Sequence, residues 1–192
     1  PWDYSFWSER LQKEQYSLNE ELLKPYFQLE NCIDAVYGLA TRLYGITFTQ
    51  NHDIPLFNPD AKVWEVYDYD GKYLALLYCD FFARKGKHAG AWMDSIKPQY
   101  KDADGTDHRP HVTLSTNYRK PLPGKPTLLN FDEVNTLMHE FGHCLHGILS
   151  DVTYPSQCSP NVLWDVVEMP SQIMENFASE EELLKHFAFH HK

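Results

Sequence analysis

Basic residues are scarce in this chain: 17 Lys and Arg stand against 27 Asp and Glu in 192 residues, a formal net charge of −10. A protein that tracks a phosphate backbone needs the opposite balance on one face, so no nucleic-acid partner is expected. Long apolar runs are missing too. No stretch approaches the roughly eighteen residues that a membrane-spanning helix requires, so no membrane partner is expected either. The four cysteines, Cys32, Cys79, Cys144 and Cys158, are scattered and form no Cys-x-x-Cys pair. That density is far below a disulfide-stapled domain, so reduced thiols and a cytoplasmic location are expected. Repeats, low-complexity tracts and composition breaks are lacking, which argues against a linker. The chain starts at Pro1 without a signal-like pattern, and reads as a piece of a longer protein whose leader is left open.

What is present is ample material for a core, with 43% hydrophobic and 15% aromatic residues. The first third has helical periodicity. Trp2, Phe6, Trp7 and Leu11 form one stripe, Ser17 and Glu20 a capping box, and Lys24-Pro25 a stop. A second amphipathic pattern from Leu29 to Tyr44 ends at Gly45. The middle third changes period. Val63–Tyr67 and Tyr73–Phe82 flank Asp70-Gly71, which predicts an antiparallel hairpin. Val112–Tyr118 is a further short strand, and Lys97–Arg109 a polar loop. The last third is helical again: Asn130 with Glu133 predicts a capped helix to about Ser150. Another helix is expected within Asp165–Ala178, and a last one capped by Ser179 through Glu182.

Chemistry concentrates in His139-Glu140-Phe141-Gly142-His143, an His-Glu-x-x-His pattern inside the capped helix. Histidines four apart share a helix face and can grip one zinc ion, while Glu140 can reach a metal-bound water without being a ligand. A catalytic zinc needs a third protein ligand and an open position. The candidates are His146, Asp165, Glu168 and Glu175. His146 follows His143 by three residues and fits packing, or a hydrogen bond to a ligand, better than coordination. Glu168, 25 residues after His143, leaves room for a loop and a returning helix, and Asp165 can hold the outer N–H of a ligand histidine. Pro170 removes a helical N–H and predicts a kink there. Arg84, Lys85 and Lys87 read as a solvated turn rather than a carboxylate grip, and the strand aromatics Trp64, Tyr67, Tyr73 and Tyr78 as packing rather than a peptide groove. The segment around Gly90-Ala91-Trp92 is a place where an edge strand can pair with peptide backbone.

The run from His139 to Gly147, followed by Trp164–Asn176, resembles the thimet oligopeptidase family of zinc peptidases. The similarity extends through Phe131–Val134, Gly90–Met93 and Pro25–Phe27 to Pro1–Tyr4, and so covers essentially the whole chain. Leu74–Arg84 is more similar to the bacterial peptidyl-dipeptidase branch than to the oligopeptidase A branch. The resemblance implies zinc held by His139, His143 and Glu168, with Glu140 as the base. Ser159-Pro160-Asn161 and Asp165-Val166-Val167-Glu168 depart from the family's usual Ser-Gly-Thr and Asp-Phe-Val-Glu, and neither departure removes a ligand. The expectation is therefore a helix-dominated α+β single partial catalytic domain spanning 1–192. Its parts are N-terminal helices (1–45), a small antiparallel sheet with loops (46–126) and a zincin-like pair of zinc-bearing helices (127–192). The expected activity is hydrolysis of short peptides, preferably releasing C-terminal dipeptides. An endopeptidase of the oligopeptidase A kind and a non-catalytic zinc-stabilised peptide-binding module are the alternatives.

Overall fold

The computed structural model describes residues 2–16 and 20–192, and the architecture is α+β. Helix α1 (Trp2–Tyr16) leaves its aromatic stripe exposed, Trp2, Phe6 and Trp7 included. The expected capping box at Ser17 lies outside the described residues. After the single turn α2 (Glu20–Leu23), α3 (Leu29–Tyr44) buries Leu29, Cys32, Ile33, Val36, Leu39 and Ala40 on one face. It stops where expected: Gly45 takes φ 75°, and its N–H bonds back to the Thr41 carbonyl.

The sheet is larger than the expected hairpin and is mixed. Its strands are β1 (Thr47–Asn51), β2 (Lys62–Tyr67), β3 (Tyr73–Phe82), β4 (Trp92–Lys97) and, after the small two-stranded β5 (Tyr100–Lys101) and β6 (Asp107–His108), β7 (His111–Tyr118). Spatial order is β1-β2-β3-β7-β4. β2 and β3 pair antiparallel across the Asp70-Gly71 turn, with Gly71 at φ 79°. β7 then inserts between β3 and β4, parallel to β3 and antiparallel to β4. β4 is thereby an edge strand.

The loop from β3 to β4 is pinned from inside. The Lys87 ammonium, 3% exposed, donates to the carbonyl oxygens of Asp80 (2.7 Å), Phe82 (3.1 Å) and Thr116 (2.6 Å), and also faces the Asp80 carboxylate. This corrects the solvated-turn expectation for Lys87: an ammonium surrounded by strand-end carbonyls is satisfied without water. Asn117 donates to the carbonyls of His88 and Gly90 in the same loop.

Helix α4 (Phe131–Ile148) lies across the sheet, followed by the single turn α5 (Trp164–Val167), α6 (Met169–Ala178) and α7 (Glu181–Phe187). Ser179 closes α6 rather than opening α7, whose N-cap is Glu180. The core joins the faces of α3, β2, β3, β7, α4, α6 and α7. Tyr37 stacks on Phe48 at 4.2 Å and meets Trp64 edge-on, so Trp64 packs in the core, as expected. No described helix is long and apolar enough to cross a membrane.

Candidate metal centre

Helix α4 is fixed at both ends. At the start, Asn130 Oδ1 accepts from the Glu133 N–H (2.7 Å) and the Glu133 carboxylate accepts from the Asn130 N–H (2.8 Å), the reciprocal cap expected from the sequence. At the other end the Arg109 guanidinium donates to the last-turn carbonyl of Ile148 (2.7 Å), to Ser150 (3.1 Å) and to Leu74 on β3 (2.8 Å). Arg109 therefore satisfies orphan carbonyls of the helix terminus and ties that terminus to the sheet. Between these anchors the buried stripe Val134, Leu137, Met138, Phe141, Cys144, Leu145 and Ile148 faces the core. His139 and His143 emerge together beside that stripe, and Cys144 is buried away from them.

The opposing carboxylate comes from a break. α5 ends at Val167 and α6 begins at Met169, with Glu168 as the joint between them at φ −87° and ψ −5°. Pro170 sits in the first turn of α6, where its missing N–H leaves nothing unpaired. Glu168 Oε2 lies 3.2 Å from His139 Nε2 and 3.2 Å from His143 Nε2, and the two imidazole nitrogens are 3.2 Å apart. The three form the one group of metal-capable side chains among the described residues. Two ligands about 2.0–2.1 Å from a tetrahedral zinc are separated by roughly 3.3 Å. The triangle has the size that such an ion sets.

The protonation states suit a cation. Burial lowers the pKa of His143, leaving its lone pair available at neutral pH. The hydroxyl of Ser171, 2.8 Å from Glu168 Oε2, is the main influence holding the Glu168 carboxyl below its ordinary range. His139 Nδ1 meets Glu175 Oε1 at 2.6 Å, which fixes the tautomer with the proton on Nδ1 and the Nε2 lone pair facing Glu168 and His143.

Two placements differ from expectation. Asp165 is exposed, on a separate turn before the break at Glu168, and makes no described hydrogen bond; the contact with the outer nitrogen of His139 is made by Glu175 instead. Glu175 is one of the four candidates for the third ligand in the sequence. It follows Glu168 by seven residues, two helical turns, and that spacing is the signal that places it on the same side of α6. His146 hydrogen-bonds none of the three candidate ligands. Its ring lines an apolar groove with Leu145, Leu149 and Met169, its Nδ1 is buried without a partner, and burial lowers its pKa.

Glu140 is 7% exposed, and burial pushes its carboxyl up to about 7, with Glu168 adding to the rise and His139 and the Met93 amide opposing it. It lines a cleft of about 290 Å³ with Ala91, Asn135, Thr136, His139 and Glu175. Ala91 immediately precedes edge strand β4, so the cleft runs between that edge and α4.

Residues 1–192 match peptidase family M3, and the chain belongs to that family. It is 43% identical to the dipeptidyl carboxypeptidase of Salmonella typhimurium over 190 residues, which cover 98% of this chain and 28% of that protein. It is 41% identical to the Escherichia coli dipeptidyl carboxypeptidase over 195 residues, and 38% identical to Escherichia coli oligopeptidase A over 193 residues. Both of those alignments cover 100% of this chain and 28% of the relative, so the chain spans little more than a quarter of either one's length.

Proposed function

We propose that this chain carries the zinc-binding core of a metallopeptidase that hydrolyses short peptides, with release of C-terminal dipeptides as its preferred mode. The observation that carries the reading is the equilateral set of 3.2 Å separations among His139 Nε2, His143 Nε2 and Glu168 Oε2. Three lone-pair donors held this close favour a cation in their midst, and the nitrogen and carboxylate chemistry fits zinc. Three protein ligands with no thiolate leave a coordination position open, which favours a catalytic over a purely structural ion.

Bound zinc would supply an acidified water at neutral pH and polarise a carbonyl oxygen. The chain's own groups do the rest. Glu140, buried beside the ligands and raised to about 7, is poised to take a proton from a nucleophilic water and return it to the departing amine. A cation in the site would draw that carboxyl down again, towards the ionised base. Glu175 keeps the His139 ring in register. Strand β4 offers an unpaired edge along which an extended peptide can lie, its scissile bond directed to the cleft lined by Ala91 and Glu140.

The dipeptide-releasing mode rests on the two dipeptidyl carboxypeptidases among the relatives. Oligopeptidase A, nearly as similar, supports cleavage within short peptides as the second reading. Substitution Glu140→Gln in the longest form of the protein tests the peptidase reading. Hydrolysis is expected to fall by about 10²–10⁴-fold while zinc content stays at one per chain. Undiminished hydrolysis would remove Glu140 from the mechanism. Zinc retained by a wild-type protein that cleaves no peptide would instead favour a binding module.

A further inference from the structure

Glycine is among the least favourable residues in a helix interior, so Gly142, in the middle of α4 between the two histidines, requires a structural reason. The reason is the neighbouring element. A Cβ at Gly142 would lie 2.5 Å from the Pro170 carbonyl oxygen, 2.6 Å from Ser171 Cα and 2.9 Å from the Pro170 carbonyl carbon. These are backbone atoms in the first turn of α6, immediately after Glu168, and no rotamer change can move them aside. Ser171, 0% exposed, places its Oγ 2.8 Å from Glu168 Oε2 and 2.9 Å from the Glu168 carbonyl oxygen.

We propose that Gly142 and Ser171 are positioning residues for the third metal ligand. The missing side chain at Gly142 lets the start of α6 seat directly on α4 at the level of the two histidines. The Ser171 hydroxyl then sets the direction of the Glu168 carboxylate. The separation between the imidazoles and the carboxylate is thus set by backbone contact across Gly142, and the carboxylate's aim by one buried hydroxyl. A Cβ at 142 would force the start of α6 away from α4, and would carry Glu168 away from the histidines with it. This inference rests on the zinc reading above and extends it to residues that touch no metal.

The test is the affinity of the longest form of the protein for Zn²⁺ alone, measured by competition with a chromogenic chelator, together with the melting temperature of each variant in excess chelator. Ser171→Ala and Gly142→Ala are each expected to weaken zinc binding by about tenfold to a hundredfold, the scale of changes beside rather than in the ligand set. Gly147→Ala is the control. A Cβ there would meet Met93 and Val112 side-chain atoms at 2.8 and 2.9 Å, facing the sheet, so that variant should melt lower and bind zinc as tightly as the unmutated chain. In a Glu168→Ala background, neither Ser171→Ala nor Gly142→Ala should weaken zinc further, because the group they position is gone. Losses that persist in full in that background, or variants that bind as tightly as the unmutated chain, would overturn the inference. Should Gly142→Ala fail to fold, Ser171→Ala decides. An unmutated chain that binds no zinc overturns the metal reading itself, whereas tight binding with unaltered variants overturns this inference alone.

Discussion

At the candidate site, His139 and Glu168 each have a partner outside the triad that fixes orientation, Glu175 for the first and Ser171 for the second. His139 is the clearest case: the Glu175 carboxylate at 2.6 Å keeps the proton on Nδ1 and so the lone pair on Nε2. Glu175→Ala removes that restraint and leaves the ring free to turn. Zinc affinity measured by chelator competition is expected to fall by about tenfold to a hundredfold, with Glu175→Gln retaining part of it through its amide oxygen. Affinity unchanged in both variants would show that ring orientation is set by packing alone. At this scale the sequence was informative where spacing alone decides the geometry. His139 and His143 four apart on a helix must share a face, and Glu140 must lie next to them. Asp165 misled because its part depended on an unbroken helix through Glu168, whereas the chain turns there. Gly142 and Ser171 carry no signal of their own, since what matters is which backbone lies opposite.

At the scale of elements, helix α4 is held by its ends as much as by its buried stripe. Arg109 joins its C-terminus to β3, through the carbonyls of Ile148, Ser150 and Leu74. Arg109→Met keeps much of the apolar stem and strands those carbonyls. Thermal unfolding in the absence of metal should report a loss of about 1–3 kcal/mol. A melting temperature equal to the unmutated chain's would mean that water replaces the guanidinium without penalty. Element identity was legible wherever the signal is local: the Gly45 stop, the Asp70-Gly71 hairpin, and the Asn130–Glu133 cap. The insertion of β7 between β3 and β4 was not, because a parallel pair joined through an intervening edge strand leaves no trace in the hydrophobic period of either strand. Nor was the burial of Lys87, which depends on carbonyls from two strands meeting in one place.

Over the whole molecule, the arrangement separates support from chemistry. The mixed sheet and the aromatic cluster around Tyr37, Phe48 and Phe141 form a rigid base. The candidate ligands lie where two helices cross above it, and edge strand β4 borders the cleft. A chain with net charge −10 gathers two imidazoles and a carboxylate at that crossing. A zinc ion supplied to it is expected to bind the crossing helices together. Anomalous diffraction at the zinc absorption edge, from crystals of the metal-loaded protein, tests this most directly. A single strong peak is expected, bounded by His139 Nε2, His143 Nε2 and Glu168 Oε2, each about 2.0–2.2 Å away. A peak elsewhere, or a Glu168 carboxylate turned away from a zinc held by other atoms, would contradict it.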